Sequence, residues 1–173
     1  MTSPISNVFN PELDLRLERI VDIPPAKIWA AWTTPALLMP WFCPQPWRTV
    51  ACEIDLRPGG RFHTVMQSPE GQTFPSDGCY LELIENRKLV WTNALEPGFR
   101  PAKPPESSLG HECADFLMTA TILLEPHGND GTQYHAMVQH NHKETRIKHE
   151  NMGFEQGWGA CLNQLVAMVK SQQ

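Results

Sequence analysis

The chain has 173 residues, of which 41% are hydrophobic and 19% are charged, and its formal net charge is −5. This composition is typical of a folded globular protein and argues against an intrinsically disordered chain. Because the charge is negative and the basic residues are scattered, we expect no nucleic-acid partner. No apolar run reaches the roughly 18 residues that a membrane-spanning helix needs.

The N-terminal residues have neither the basic region nor the apolar region of a signal peptide. We therefore expect a cytoplasmic protein with a flexible arm over residues 1–12 and a single domain over residues 13–173. The five cysteines are an odd number without a Cys-x-x-Cys spacing, which favours buried free thiols.

The first predicted element is a half-buried strand over residues 13–23, where apolar and charged residues alternate. Pro24 and Pro25 then suit the start of a helix. That helix ends at Pro35, and a second short helical turn stops at Pro40.

Residues 48–92 predict consecutive antiparallel strands. One hairpin has strands over residues 48–56 and 61–67, joined by the Pro-Gly-Gly turn at residues 58–60. The next pair of strands turns at residues 85–86.

The C-terminal part begins with an interruption at residues 96–114, whose four prolines predict a long ordered loop or a lid. Two further strands form a hairpin. Apolar residues at steps of three and four then predict a helix from about residue 150 to residue 170. The residues just before it could form a helical turn or a loop.

The order of these elements is one strand, two short helices, six strands and one long helix. A single antiparallel sheet has one apolar face, and only the C-terminal helix is long enough to cover it. We therefore predict an α+β fold in which a curved antiparallel sheet wraps around that helix, with a cavity left between them.

Four segments resemble the START-like superfamily, and within it the branch called activator of heat-shock-protein-90 ATPase homologue-like. They are residues 18–44, 53–66, 77–92 and 153–169, with the Arg-Pro-Gly-Gly-Arg-Phe turn among their more specific features. The resemblance covers about residues 13 to 170. It implies a helix-grip fold with an interior ligand cavity.

Large apolar and aromatic side chains, with one histidine, are the candidates for the wall of that cavity. The predicted ligand-binding residues are Trp41, Phe42, Trp47, Phe62, Met66, Tyr80, Trp91, Met118, Met137, His140, Phe154 and Trp158. For the strand residues in this set, core packing is the default interpretation.

Two features of this wall can each be interpreted in two ways. The proline-rich stretch over residues 39–49 holds its aromatic side chains either as a gate for a ligand or as a plug that packs the interior shut. In the C-terminal helix, Gly153 and Gly157 either make room for a ligand or let the helix lie close to the sheet.

His140 and His142 lie two residues apart in a predicted strand, so their side chains share a face. This spacing is compatible with a two-histidine metal pair, but no third ligand is evident and a solvated strand end is the favoured interpretation. We predict no metal and no cofactor. His140 alone could serve as a polar group of the cavity or as a general acid–base.

Three functions remain open at this point. The favoured one is binding of a small hydrophobic or aromatic molecule in the interior cavity. The second is a cyclase or dehydratase acting on a polyketide-like substrate, for which His140, Tyr80 and Gln156 are the available polar groups and no catalytic residue is assigned. The third is a co-chaperone-like interaction module. A homodimer is left open as a further partner.

Overall fold

The structure, a computed structural model, describes residues 9–103 and 116–172. Most of the predicted N-terminal arm, residues 1–8, lies outside the described residues. The same holds for residues 104–115, which form the greater part of the predicted loop or lid and include Cys113.

Seven strands form one antiparallel sheet, in the spatial order β1-β9-β8-β5-β4-β3-β2. Their bounds are β1 (Asp14–Val21), β2 (Arg48–Ile54), β3 (Arg61–Gln67), β4 (Thr73–Ile84), β5 (Lys88–Thr92), β8 (Met118–His127) and β9 (Gly131–His140). The predicted number of strands in the sheet and their antiparallel pairing are confirmed. Strands β1 and β9 adjoin each other although they lie at opposite ends of the sequence.

The Pro-Gly-Gly turn between β2 and β3 supports a second, small hairpin. Gly59 has a φ of +81°, and its N–H donates to the carbonyl oxygen of Tyr80 at 2.7 Å. A Cβ on Gly59 would lie 2.8 Å from the ring of Phe99, so only glycine allows this close contact. Phe99 joins the two short strands β6 (Leu95–Glu96) and β7 (Arg100–Pro101), which lie within the predicted loop.

Four helices complete the fold: α1 (Pro25–Thr33), α2 (Pro35–Leu38), α3 (Lys143–Asn151) and α4 (Phe154–Ser171). As predicted, proline occupies the first turn of α1, whereas Pro35, the predicted end of the first helix, lies in the first turn of α2. The predicted C-terminal helix begins later than residue 150 because Gly153, in the left-handed conformation, separates α3 from α4.

The core lies between α4 and the inner face of the sheet, which confirms the predicted helix-grip arrangement. Strands and helix contribute alternating or helically spaced apolar side chains to one buried cluster. The strand members include Leu15, Leu17, Phe62, Leu89, Ala120, Ile122, Leu124, Ala136 and Val138, and the α4 members are Phe154, Leu162, Leu165 and Val169. No described helix is both long enough and apolar enough to cross a membrane.

Candidate functional site

Aromatic rings fill the end of the interior where α1 and α2 meet the sheet. We call these rings the aromatic cluster; they belong to Trp32, Trp41, Phe42, Phe62, Tyr80 and Trp91. Neighbouring ring centroids lie 4.9 Å apart for Trp32 and Trp41, 5.2 Å for Trp32 and Trp91, and 5.4 Å for Phe62 and Trp91. These are ordinary contact distances for edge-to-face and tilted pairs, so the rings pack against one another at this end.

The three aromatic residues of the proline-rich stretch have different environments. Trp41 is only 2% exposed, and its indole N–H points at the carbonyl oxygen of Ala31 at 3.4 Å, so it is a core residue. Phe42, a member of the cluster, is half-buried, and its ring contacts that of Phe62. Trp47 is also half-buried, but its ring packs on Phe74 outside the cluster. The plug interpretation therefore fits Trp41. Of the three residues, only Phe42 is compatible with a role as a gate to the interior.

Trp47 borders a separate depression at the surface. Its volume is about 360 Å³, and it is lined by Met39, Pro40, Cys43, Gln45, Trp47, Arg48 and Thr49. Because this depression opens to solvent beside β2, Trp47 lines it rather than the interior.

The helix contributes a wider-spaced ring pair to the interior. The indole of Trp158, half-buried on α4, lies within 14° of parallel to that of Trp91, with 6.4 Å between the ring centroids. A centroid distance of 6.4 Å is at the upper end of the range of about 4.5–7 Å for offset-stacked aromatic pairs, so the two indoles stack with an offset. Phe154 packs against Trp158 at 5.2 Å. The two indoles thus face each other across the space between helix and sheet.

Gly157 lies beside Trp158 at the flank of α4. A Cβ built on Gly157 would meet no atom of the described residues within 4 Å, so this glycine is not explained by close packing against the sheet. Gln164, two turns further along α4, donates to the carbonyl oxygens of Trp41 and Cys43 at 3.1 and 2.9 Å. These hydrogen bonds fix the proline-rich stretch against α4, and the room at Gly157 lies on the same side of the helix.

Tyr80 places a polar atom inside the aromatic cluster. Its side chain is 0% exposed, and its hydroxyl has no hydrogen-bond partner among the described residues. Burial raises the pKa of this phenol above its usual value, and the neighbouring Cys52 thiol adds to the shift. An unpaired buried hydroxyl costs about 1–3 kcal/mol of stability, which makes Tyr80 an unusual polar group of the interior.

The predicted methionines divide between the two faces of the sheet. By strand alternation Met66 shares the inner face with Phe62, and Met118 packs against the core. Met137 is only 2% exposed but alternates with the inward-facing Ala136 and Val138. It therefore lies on the outer face, and this position removes it from the wall of a site beneath α4.

His140 pairs with His149 of α3 rather than with His142. His140 Nδ1 donates to the carbonyl oxygen of Leu13 at 2.8 Å, and its Nε2 lies 2.9 Å from His149 Nδ1. His142 is exposed at the start of α3, so the two-histidine metal pair is not formed. Burial lowers the pKa of His149 to about 4, with a smaller effect from His140, and burial also lowers the pKa of His140.

These contacts weaken the enzymatic alternative. The Nδ1 proton of His140 is engaged by a backbone carbonyl and its Nε2 by His149, so neither nitrogen is available to a substrate. Gln156 is exposed on α4. Of the three polar groups proposed for a cyclase or dehydratase, only Tyr80 lies in the interior with a free polar atom. Within the described ranges, no group of three or more metal-ligating side chains is assembled.

Sequence reasoning missed Trp32 and His149. The helical spacing of α1 gave a signal for Trp32 as a core residue, but not for its central place in the cluster. His149 is the one buried residue of α3, a helix without an apolar stripe, and therefore had no detectable signal. Its role depends on β9 and α3 meeting in space.

Comparisons with known proteins agree with this geometry. The sequence model of the family described as activator of Hsp90 ATPase homolog 1-like protein matches residues 22–170. A crystal structure of a Nitrosomonas europaea protein is 43% identical, with a TM-score of 0.86 over 95% of this chain and 98% of that one. An AHSA1-like protein from Aeromonas hydrophila is 15% identical and shares the fold, with a TM-score of 0.67 over 92% and 94% of the two chains. Among proteins with curated functions, none matches this sequence.

Proposed function

This chain belongs to the family of activator of Hsp90 ATPase homolog 1-like proteins, and from that premise we propose that it binds a small apolar or aromatic molecule between α4 and the inner face of the sheet. The observation that carries the proposal is the nearly parallel pair of Trp91 and Trp158, whose ring centroids lie 6.4 Å apart, together with the open space around Gly157, the residue that precedes Trp158. Flat apolar molecules bind favourably between such rings.

The two sides of the proposed site differ in how firmly they are held. Trp91 and Phe62 are buried in the sheet and contact several other rings, so they form a fixed wall. Trp158 and Phe42 are half-buried, and their rings have solvent on one side. Since the interior is already lined with packed rings, a ligand enters by displacing these two half-buried side chains rather than by filling a preformed hollow.

The chemistry of the wall selects an apolar ligand. Phe42, Phe62, Trp91, Phe154 and Trp158 provide aromatic faces and edges, and burial of such surface contributes about 25 cal/mol per Å². The proposal does not include the surface depression beside Trp47, whose lining contains an exposed arginine and several polar groups.

Blocking the room at Gly157 tests this proposal. In Gly157→Leu the new side chain occupies the space beside Trp158, and we expect fluorene, a neutral flat probe, to bind at least about tenfold more weakly, a loss of about 1.4 kcal/mol. The affinity is measured by two-dimensional NMR of isotope-labelled protein, in which fluorene shifts the indole N–H signals of Trp91 and Trp158.

Gly159→Leu is the matched control, because both substitutions remove a glycine from the interior of the same helix and both favour the helix. A Cβ on Gly159 meets only the flexible end of Arg19 at 3.8 Å, on another side of α4. Fluorene affinity should stay within about twofold of the unmodified protein in this variant. Equal effects of the two substitutions, or no binding of fluorene to the unmodified protein, contradict the proposed function.

A further inference from the structure

We propose that the ligand is a neutral, flat molecule that carries a hydrogen-bond acceptor such as a ketone oxygen, and that the Tyr80 hydroxyl donates to that acceptor. This inference rests on the proposed function and adds the chemical class of the ligand. It comes from a buried hydroxyl of the aromatic cluster that has no partner among the described residues. The other such atom of the cluster, Trp32 Nε1, has the Tyr134 hydroxyl beside it.

Tyr80 lies next to the buried wall of the proposed site. Tyr80 stands opposite Trp91 in the register of β4 and β5, and its ring lies 5.4 Å from that of Phe62. All three side chains belong to the buried cluster on the inner face of the sheet. A ligand packed against Trp91 would therefore be next to Tyr80 on the adjacent strand, and we infer that its acceptor reaches the Tyr80 hydroxyl.

A ligand acceptor satisfies this hydroxyl better than a ligand donor does. Buried donors without a partner are rarer in proteins than acceptors with a spare lone pair, because an unmet donor is the more costly defect. The raised pKa of Tyr80 keeps its proton in place at physiological pH. The phenol therefore offers an O–H throughout the working range.

The ligand is neutral because the surroundings hold no cation to pair with an anion. Among the described residues, every lysine and arginine side chain is at least partly exposed. Burial raises the pKa of Cys52 to about 11 and that of Cys161 to about 12, so these two thiols, which pack against the core, stay uncharged. An unpaired carboxylate buried here would lose its hydration without compensation.

Three probes of nearly equal shape test the inference: 9-fluorenone with its ketone, fluorene without it, and fluorene-9-carboxylate with a negative charge. The unmodified protein should bind fluorenone roughly 3- to 10-fold more tightly than fluorene, the range of one neutral hydrogen bond, and the carboxylate more weakly than both. In Tyr80→Phe the preference for fluorenone over fluorene should vanish, while the affinity for fluorene is kept.

Tyr134→Phe is the matched control. Tyr134 is the other tyrosine of the chain and is also buried, but its hydroxyl faces the indole of Trp32. This variant should keep the preference for fluorenone. This inference is overturned if Tyr80→Phe keeps the preference for fluorenone over fluorene. It is also overturned if the unmodified protein binds fluorene but shows no such preference. Either result leaves the proposed function unaffected. If neither neutral probe binds, the proposed function fails and this inference fails with it.

Discussion

Tyr80 has a measurable consequence for stability in the unliganded protein. Replacing an unpaired buried hydroxyl with hydrogen removes its desolvation cost, so Tyr80→Phe should raise the free energy of unfolding by about 1 kcal/mol or leave it unchanged. Urea denaturation followed by tryptophan fluorescence measures this difference. A loss of more than about 1 kcal/mol would show that the hydroxyl has a partner in the folded protein.

The His140–His149 pair predicts a dependence of stability on pH. Folding lowers the pKa of His149 from 6.5 to about 4, so the unfolded chain takes up a proton that the folded protein refuses. The contribution of neutral His149 to the free energy of unfolding is therefore complete above pH 6.5. It is lost as the pH falls from 6.5 to about 4, by up to about 3 kcal/mol. The charge of Arg146 in α3 also lowers the pKa of His140, whereas the carboxylate of Asp14 in β1 raises it. Burial raises the pKa of Asp14 itself, which partly offsets the loss at the acid end.

The test compares urea denaturation of His149→Gln and His142→Gln at pH 7.0, 5.5 and 4.5. Removing the buried histidine should flatten the fall in stability between these pH values. Removing the exposed His142 should leave the slope unchanged. Identical slopes in both variants would show that the buried pair does not titrate as described.

At the scale of elements, α4 supplies the inward face on which both the core and the proposed site depend. Leu165 is 0% exposed at the centre of that face, so Leu165→Ala should lower the free energy of unfolding by about 2–5 kcal/mol. Asn163 lies on the opposite, exposed side of the same helix. Asn163→Ala should change stability by less than about 0.5 kcal/mol or increase it slightly, through helix propensity. Similar losses in both variants, measured by urea denaturation, would mean that α4 does not pack with this face inward.

The elements themselves were predictable where the sequence carried a local signal. Prolines marked the start of α1 and the break between α1 and α2, and the alternation of apolar residues marked the strands. Strand β4 begins at Thr73, earlier than the predicted start at residue 77, because residues 73–78 pair with β3. Strand β5 pairs only with Cys79–Ile84. Pro75 therefore lies where β4 has a neighbour on one side alone, and the missing N–H breaks no ladder.

Helix α3 was less predictable for a physical reason. It carries charged and polar residues on almost every side, and its buried contact is made by a histidine. Without an apolar stripe, the sequence left helix and loop equally open. The helix is held instead by the hydrogen bond to β9 and by the ring contacts of His149 with Phe116 and Phe154.

At the scale of the whole molecule, the fold could be predicted and the state of the interior could not. One apolar sheet face and one long helix leave few arrangements, and the resemblance of four segments narrowed them to the helix grip. Inward-facing aromatic residues were recognised from alternation. Whether such rings line a hollow or fill it depends on their rotamers and mutual contacts, which alternation does not specify.

The same reasoning explains which candidate residues lie together in the structure. Phe62, Tyr80, Trp91 and Trp158 meet in one place because three strands and α4 bring them together. Trp47 and Met137 lie outside this group for reasons that periodicity does not specify. The path of the proline-rich segment places Trp47 against Phe74, and Met137 lies on the outer face of β9.

The most direct measurement is a crystal structure of the protein grown with 9-fluorenone. We predict electron density for the probe between the indoles of Trp91 and Trp158, with its ketone oxygen within hydrogen-bonding distance of the Tyr80 hydroxyl and with Trp158 displaced from its unliganded position. Density confined to the depression beside Trp47, or an interior whose rings stay packed with no probe among them, would contradict the account.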